Sequence, residues 1–555
     1  MLETSSTRSS TTTTNCNGAD TLEGVLGKGP LFQENTLNYG EKDIEVQKVE
    51  SNHSVNGMSG LRLALFLFGL SICTFLSTLD ISIIAAALPR IASDFNAQSQ
   101  MSWVATAYLL TFNAFSPLYG RFSDIFGRKV VILFACSIFF LGSIGCGAAS
   151  SMTMLILFRA AKGVGGAGLG SMVMIILSDM FDDIAERAKY QSIAYAALGI
   201  SSVVGPFLGG AFVQHSTWRW CFYINLPLCA LAISLISYFH RIPFERANLR
   251  SQLAQVDYLG VLFIIATVVC LLLPLTWGGT TYPWNSAVII SLFCVFIVLM
   301  VMMVIVENKA KENAVIPIAL LSNRDVALLL TINTLVGLVF MGCTFYIPLF
   351  FQVVQNATTT SSGLRLMPNV VGIVFSTFIS SALMRKIKDV RVFLAFGTGV
   401  MTTGVGLLNL WKQDTSVGME VGIVILMGLG QGFIFQNVML ASQEHAGPKD
   451  VAVATALVGF ANSIGGAIGV AVCAAVFNNG LARNLEKLPT TTQQLIEKLD
   501  VVENMNAVAE LPDDVRIEVI QAYTDSFKFL FTVLTPILGF AFLLTFLIRK
   551  TKKRS

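Results

Sequence analysis

The stretch Gly120-Arg121-Phe122-Ser123-Asp124-Ile125-Phe126-Gly127-Arg128-Lys129 is a short charged link between two long apolar runs. Each flanking run is long enough to cross a bilayer core of roughly 30 Å, so the link is predicted to be a tight turn at a membrane surface. Its cations place that surface on the cytoplasmic side. The glycines let two helices come close, and Asp124 is placed near a helix start, where the helix dipole favours an anion.

The composition excludes a soluble domain. Of the 555 residues, 54% are hydrophobic and 13% are charged, whereas soluble proteins carry roughly 25% charged residues. The formal net charge of +3 is small, and the sequence shows no nucleic-acid-binding footprint. We therefore expect an all-α polytopic membrane protein.

Hydropathy predicts fourteen spans of roughly 20 residues, the length that a bilayer requires. An even number of spans puts both termini on one side, and lysine and arginine concentrated in alternate links put that side in the cytoplasm. The predicted spans are 61–88, 102–120, 129–149, 153–177, 190–213, 219–239, 257–276, 286–306, 326–351, 363–384, 391–410, 419–441, 449–477 and 527–548.

The segments outside the spans differ in character. Residues 1–60 are rich in Ser, Thr and charges without an apolar period, so we expect a disordered cytosolic tail. Residues 549–555 form a basic cytosolic tail, and 478–526 is the longest outer link, either a cap over the outer mouth or a solvated connector. The sequon Asn356-Ala357-Thr358 lies in another outer link, which predicts glycosylation at Asn356.

Few ionisable groups lie at membrane depth. They are Asp80 in the first span, Arg159 and Lys162 in the fourth, and Arg365 in the tenth. Such groups are costly in a bilayer and by default mark a pathway, a proton relay or a structural ion pair. Asp80 is the best candidate for a titrating group. The alternative is a static ion pair with Arg159, and the sequence leaves both interpretations open.

Several segments resemble signatures of the major facilitator superfamily. The link 120–129 matches its pattern of Gly, three residues, Asp, two residues and Gly-Arg-Lys. Residues 79–89 resemble the first helix of the 14-span drug:proton antiporter branch, and 199–210 resembles the antiporter signature, in which Gly-Pro is followed two residues later by Gly-Gly. The resemblance covers about 61–548 and indicates a fungal-type efflux transporter of drugs or toxins.

This resemblance implies the major facilitator fold: two six-helix bundles, here 61–240 and 326–548, with two linker helices in 241–325. It also implies that Asp80 and Arg159 couple transport to protons. The implied cytoplasmic gate consists of Gly120, Asp124, Gly127, Arg128 and Lys129, and the implied antiporter motif of Gly199, Gly205, Pro206, Gly209 and Gly210.

The fourth span departs from the family pattern at Lys162, where a glutamine is usual. A second cation one turn from Arg159 favours an ionised carboxylate neighbour and also suits an anionic or polar substrate. Polar side chains in other spans could contact a substrate or equally form hydrogen bonds between helices. The candidate cavity residues are Lys162, Gln352, Arg365, Gln431 and Gln436.

The resemblance implies a proton-coupled antiporter that exports small amphipathic drugs, toxins or metabolites by alternating access, as a monomer in the plasma membrane. The 40 phenylalanines and 19 methionines favour an adaptable apolar cavity. Two alternatives stay open: proton-coupled loading of basic amino acids into a vacuole, and a ligand sensor that does not translocate.

Other functional classes lack their expected features in the sequence. No Gly-x-x-x-x-Gly-Lys-Ser/Thr loop occurs, which argues against ATP-driven pumping. None of the four histidines falls in mid-membrane beside a nucleophile, and the cysteines lack metal-ligand spacing. We therefore expect no enzyme activity, no metal and no cofactor, with the proton gradient as the energy source.

Overall fold

A computed structural model describes residues 60–239, 249–279, 281–310, 313–489, 492–493 and 511–550, which are almost entirely α-helical. In these ranges the sole β-contact is an isolated bridge between Gly278 and Tyr282. The predicted tail 1–60, apart from Gly60, lies outside the described residues, as do 551–555 and much of the outer link. The predicted all-α fold class is confirmed.

Long helices stand at the positions of all fourteen predicted spans. They are α1 (Leu61–Asp94), α2 (Met101–Phe126), α3 (Arg128–Gly147), α4 (Met152–Met180), α5 (Ile184–His215), α6 (Asn225–Phe239), α7 (Tyr258–Trp277), α8 (Ala287–Ala310), α9 (Arg324–Val354), α10 (Met367–Ile387), α11 (Val390–Leu407), α12 (Val417–His445), α13 (Val451–Leu485) and α14 (Asp513–Thr545). Short helical segments lie between them at Gln98–Gln100, Trp220–Tyr223, Leu249–Ala254, Ile318–Ser322, Thr359–Leu364 and Leu408–Leu410.

Thirteen helices in the described part of the chain are long and apolar enough to cross a membrane. The remaining one of the fourteen is α2, which has 26 residues but carries polar side chains along its length, including the buried Asn113 and Ser116. Asn113 Nδ2 donates to Leu109 O at 2.8 Å, and the Ser116 hydroxyl lies 3.2 Å from that of Ser171 in α4. A helix packed among others tolerates these groups because they hydrogen-bond inside the protein.

Polar side chains fix several helix starts. Asp183 accepts a hydrogen bond from Glu186 N at 3.1 Å at the start of α5. Asp257 accepts from Gly260 N at 2.8 Å at the start of α7. Such caps satisfy backbone donors that the first helical turn leaves unpaired. Each of these two spans thus begins where a polar residue interrupts the apolar pattern.

The last helix begins well before its predicted span. The sequence placed that span at 527–548, whereas α14 starts at Asp513 and is one continuous helix. Tyr523 and Phe527 are buried, and their ring centroids lie 6.2 and 4.6 Å from that of Phe477 in α13. The helix therefore extends beyond the predicted span, because aromatic packing against α13 continues it past the apolar run.

The long helices pack in two sets, with a pair between them in the chain. In the first set, here called the amino-terminal bundle, α1 packs on α5 and α6, and α4 packs on α2 and α3. In the second, the carboxy-terminal bundle, α9 packs on α13 and α14, and α12 packs on α10 and α11. Helices α7 and α8 pack on each other, and α7 also contacts α2.

Glycines allow the closest helix contacts within the bundles. A Cβ atom at Gly165 would lie 2.6 Å from Phe139 N in α3, and one at Gly397 would lie 2.8 Å from Gly430 O in α12. Because a side chain cannot fit at these distances, the glycines set how near the backbones come.

Candidate functional site

Asp80 of α1 pairs with two cations of α4 inside the amino-terminal bundle. Asp80 Oδ2 lies 2.5 Å from Arg159 Nη1, and Asp80 Oδ1 lies 2.5 Å from Lys162 Nζ. None of the three side chains is more than 1% exposed. We call these three residues the buried triad. Since a buried charge is costly without a partner, the triad fixes α1 and α4 against each other at this depth.

The two cations have different surroundings. Arg159 Nε donates to Val104 O at 2.9 Å, and the guanidinium carbon lies 4.4 Å from the ring centroid of Tyr108 in α2. Lys162 Nζ instead lies 4.6 Å from the ring centroid of Phe139 and 5.2 Å from that of Phe222. The described contacts of Lys162 thus all lie within the amino-terminal bundle.

Glycines near the triad bring α4 close to its neighbours. A Cβ at Gly142 of α3 would lie 2.9 Å from Lys162 Cβ. A Cβ at Gly163 would clash with Thr111 and with Tyr108 O in α2. Thr111 Oγ1 donates across this contact to Ala160 O at 2.8 Å. The glycine-rich sequence after Arg159 therefore places the triad by backbone proximity.

The antiporter motif of α5 packs mainly on α1, directly beyond Asp80. A Cβ at Gly205 would lie 3.0 Å from Ile83 N, and one at Gly209 would lie 3.2 Å from Ala86 Cβ. Ser82 Oγ donates to Ser201 O at 3.1 Å. These contacts join the α1 segment that carries Asp80 to α5.

The other motif residues do not share this contact with α1. Gly199 faces the carboxy-terminal bundle, since a Cβ there would lie 2.7 Å from Val374 Cγ2 in α10. A Cβ at Gly210 would meet no atom within 4 Å. Pro206 lies inside α5 and is exposed. The structure thus brings Gly205 and Gly209 together on α1 and places the other three elsewhere.

The link between α2 and α3 forms an ion-pair cluster. Arg128 donates to Asp124 at 2.5 Å and to Asp179, at the end of α4, at 2.6 Å. Lys129 Nζ donates to Ser237 O of α6 at 2.8 Å. The link itself turns at Gly127, whose φ of +85° suits glycine. The link therefore ties together the ends of four helices of the amino-terminal bundle.

Gly120 connects this cluster to the other bundle. A Cβ at Gly120 would lie 2.8 Å from both Ala452 O and Val453 Cα, at the start of α13. Of the gate residues predicted from the sequence, Gly120 thus lies at an inter-bundle contact, whereas the contacts described for Asp124, Arg128 and Lys129 lie within the amino-terminal bundle.

A row of hydrogen bonds joins α5 to α10 and α12. Gln191 Nε2 donates to Gln443 Oε1 at 3.2 Å, the hydroxyls of Ser192 and Ser381 lie 3.2 Å apart, and Gln436 Nε2 donates to Ala188 O at 2.8 Å. Tyr195 also donates to Phe435 O at 3.3 Å. We call this set the seam; it comprises Ala188, Gln191, Ser192, Tyr195, Ser381, Phe435, Gln436 and Gln443.

The seam occupies the helix ends predicted to be cytoplasmic. Its residues lie in the first half of α5 and the last half of α10 and α12, and none of its side chains is charged. Gln191, Ser192 and Gln436 are 0% exposed. The bundles are therefore closed against each other on that side.

Two of the candidate cavity residues lie at the opposite helix ends. Gln352 Nε2 donates to Ser362 Oγ at 3.0 Å. Arg365 lies 3.1 Å from the buried Glu420, at the start of α12, and also donates to Gln355. These contacts hold both side chains within the carboxy-terminal bundle.

The remaining two candidate cavity residues, Gln436 and Gln431, lie in different surroundings. Gln436 belongs to the seam, whereas Gln431, one and a half turns earlier on α12, is 1% exposed, and its Nε2 has no hydrogen-bond partner among the described residues.

Asn356 is exposed in the link after α9, with φ of 54°. In the described ranges no three His, Cys, Asp or Glu residues are grouped to hold a metal ion.

Sequence reasoning missed Glu420 and most of the seam. Glu420 is an acid inside the predicted span 419–441, which was the signal for it. Gln191 and Gln443 lie near the ends of their helices, where polar residues are common and carry little information. Their meeting depends on helices far apart in the sequence.

Comparison with known proteins places these observations in a family. The sequence profile described as Major Facilitator Superfamily matches residues 70–470. The chain is 34% identical over 483 residues to "MFS-type efflux pump MFS1" of Trichophyton rubrum, covering 86% of this chain and 89% of that protein. It is 34% identical over 444 residues to "Efflux pump aflT" of Aspergillus parasiticus, covering 79% and 86%.

Solved structures show the same fold at low sequence identity. The human organic anion transporter MFSD10 superposes with a TM-score of 0.59 at 12% identity, over 87% of this chain and 99% of that one. The proton:xylose symporter XylE superposes with a TM-score of 0.56 at 13% identity, over 88% and 96%.

Proposed function

This chain belongs to the Major Facilitator Superfamily as a multi-pass efflux transporter, and from that premise we propose that it is a proton-coupled antiporter. It exports small amphipathic drugs, toxins or metabolites across the plasma membrane by alternating access, as a monomer. The proton gradient supplies the energy.

The observation that carries this proposal is the buried triad. Three ionisable side chains within the bilayer-spanning part of the chain are at most 1% exposed and joined at 2.5 Å. Ionisable groups at this depth are expensive and by default serve a transport pathway or a proton relay. The contact of Gly205 and Gly209 with the next turns of α1 links this charge site to α5, which also forms the seam.

Alternating access follows from the two-bundle arrangement. The seam and the Gly120 contact close the predicted cytoplasmic side in this state. Opening that side requires the neutral hydrogen bonds of the seam to break, while the Arg128 ion pairs stay within the amino-terminal bundle. Substrate then enters between the bundles from the cytoplasm and leaves on the other side after the seam re-forms.

The chemistry of the seam favours an amphipathic substrate over a basic amino acid. A cationic amino acid requires buried carboxylates as partners. The seam carries none, Asp80 is held by two cations, and Glu420 is paired with Arg365. The hydroxyl and amide groups of the seam lie beside the rings of Tyr195 and Phe435. Such a surface suits an apolar ligand with a few hydrogen-bonding groups.

The proposal is tested by transport in whole cells and in isolated vacuoles, with and without a protonophore. Cells that produce the protein should exclude rhodamine 6G, a lipophilic cationic dye, and the protonophore should abolish the exclusion. Uptake of radiolabelled lysine or arginine into vacuoles, without dye exclusion by cells, would contradict the proposal and favour amino acid storage. Ligand binding without either flux would indicate a sensor.

A further inference from the structure

The buried triad has an unbalanced charge. Asp80 contributes one negative charge, whereas Arg159 and Lys162 contribute two positive charges, so the fully ionised triad carries a net charge of +1. Among the described residues, the titratable groups electrostatically coupled to it include Tyr108 on α2, Cys146 on α3, Cys221 in the short helix before α6 and Cys229 on α6. Phenols and thiols are neutral near pH 7, so they do not cancel the excess charge.

We propose that Lys162 carries the transported proton and that Asp80 is its permanent counter-ion. This inference rests on the proposed proton-coupled function. Protonation of Asp80 would leave two buried cations without an anion, a net charge of +2. Release of a proton from Lys162 leaves Asp80 and Arg159 as a neutral ion pair. Because isolated buried charges are costly, the second step is the favourable way to change the protonation of this site.

The contacts of the two cations agree with this assignment. Arg159 has the Asp80 carboxylate, Val104 O and the Tyr108 ring as partners, and an arginine keeps its proton in proteins. Within the described residues, the hydrogen-bond acceptor of Lys162 is Asp80 alone, and its other neighbours are the rings of Phe139 and Phe222. A lysine in such an environment exchanges its proton more readily than an arginine.

The surroundings also provide a way to couple proton release to movement. Ser82, two residues after Asp80, donates to Ser201 O of α5, and Gly205 and Gly209 pack on the following turns of α1. A shift of α5 during the opening of the seam therefore moves the part of α1 that holds Asp80. Separation of Asp80 from Lys162 removes the one carboxylate that stabilises the ammonium group, which favours release of its proton.

Two variants at Lys162 test the assignment in proteoliposomes, with rhodamine 6G as the transported probe. Lys162→Arg keeps a positive charge that cannot be released, and Lys162→Gln removes both charge and proton while keeping the Asp80–Arg159 pair. Both variants should lose uptake driven by a pH gradient and retain dye exchange in the absence of a gradient. Lys449→Arg, at an exposed lysine in the link before α13, is the matched control and should behave as wild type.

The outcomes separate this inference from the function on which it rests. If the wild-type protein shows no uptake driven by a pH gradient, the proposed function fails. If wild type and Lys162→Arg both accumulate dye in response to the gradient, the function stands and the assignment to Lys162 is overturned.

A measurement on the wild-type protein covers the case in which the variants do not fold. Infrared difference spectra recorded during a pH titration should show no carbonyl stretching band from a protonated Asp80. A carboxylic acid band that appears at the pH of transport and is assigned to Asp80 by isotope labelling would overturn the proposal.

Discussion

Lys162 adds a second cation to a carboxylate that Arg159 already neutralises. From the sequence, Asp80 was the best candidate for a titrating group, and Lys162, one turn from Arg159, was expected to favour an ionised carboxylate neighbour. The structure directs Lys162 to the same carboxylate, with 2.5 Å between Nζ and Oδ1. At the residue scale, the pairing of these charges decides which group can change its protonation.

Substitution of Asp80 tests the charge balance through stability. Asp80→Asn leaves two fully buried cations without an anion, and we expect it to lose proton-driven transport and about 3–5 kcal/mol of unfolding free energy. The double variant Asp80→Asn/Lys162→Gln should regain part of that stability, because one uncompensated cation is removed. Thermal unfolding of the purified proteins in detergent measures the stability of the single and the double variant.

The control for this pair is Asp94→Asn, at the last residue of the same helix. The side chain of Asp94 is 35% exposed and pairs with Arg90, and an asparagine can still accept the hydrogen bond that Trp218 Nε1 donates to Asp94, so the substitution should change the melting temperature little. Equal melting temperatures for the single and double variants at Asp80 would show that charge balance does not stabilise the triad.

Asp124 shares Arg128 with a second carboxylate. Because Asp179 lies 2.6 Å from Arg128 and remains in the Asp124→Ala variant, we expect slower turnover with substrate binding retained. The double variant Asp124→Ala/Asp179→Ala removes both partners of Arg128 and should slow turnover further. Dye transport rates compared with dye binding to the purified protein separate the two effects.

Asp182→Ala is the control for these variants, because Asp182 is an exposed acid in the link after α4. Turnover at the wild-type rate in the double variant would show that transport does not need the carboxylates and would reduce the link 120–129 to a topology signal set by its cations.

At the scale of single helices, the α1–α5 contact assigns different roles to glycines that look equivalent in the sequence. Gly209 faces Ile83 O and Ala86 Cβ in α1, whereas a Cβ at the adjacent Gly210 would meet no atom within 4 Å. Successive residues of a helix point about 100° apart, so only one of two neighbours can lie on a given contact.

We therefore expect opposite results from two neighbouring substitutions. Gly209→Ala should force α5 away from α1, lower the unfolding free energy by about 1–3 kcal/mol and impair transport. Gly210→Ala should be tolerated, and even stabilising by about 0.5–1 kcal/mol, because alanine is the better helix former. Melting temperatures and dye transport of the two variants provide the comparison. Equal damage from both would mean that the motif does not act through packing on α1.

The hydropathy pattern predicted the helices far better than it predicted their ends. Helix α14 begins before the predicted span 527–548, and Tyr523 supports this extension by packing on Phe477. A helix, α2, stands at the predicted span 102–120, although it is not among the thirteen described helices that are long and apolar enough to cross a membrane. Hydropathy measures how readily a segment transfers into lipid, so it locates the apolar part of a helix. The end of the helix depends instead on the contacts that its last turns make with neighbouring helices.

At the scale of the whole molecule, the state of the transporter is defined by the seam. Hydrogen bonds of the seam connect residues up to 252 positions apart in the chain, as between Gln191 and Gln443. All its groups are neutral, so opening this side exposes amides and hydroxyls to water without separating buried charges. Such an interface can break and re-form during a transport cycle at low cost.

Locking the seam should stop transport. The hydroxyl oxygens of Ser192 and Ser381 lie 3.2 Å apart across the two bundles, so the double variant Ser192→Cys/Ser381→Cys should form a disulfide on oxidation. We expect oxidised protein to lose dye transport, and a reducing agent to restore it. Single cysteine variants control for effects of the substitutions themselves. Continued turnover after complete cross-linking would show that the bundles do not separate at the seam.

The sequence by itself determined the membrane class, the position of fourteen helices, the family and most of the chemically important side chains, because apolar runs and short motifs are local properties of a chain. Only the tertiary structure decided that Lys162 joins Asp80, that Glu420 pairs with Arg365, that Gly209 rather than Gly210 lies on α1, and that the predicted cytoplasmic side is closed. Each of these depends on the direction of a side chain on one helix and on the position of another helix distant in sequence, and hydropathy contains no information about either.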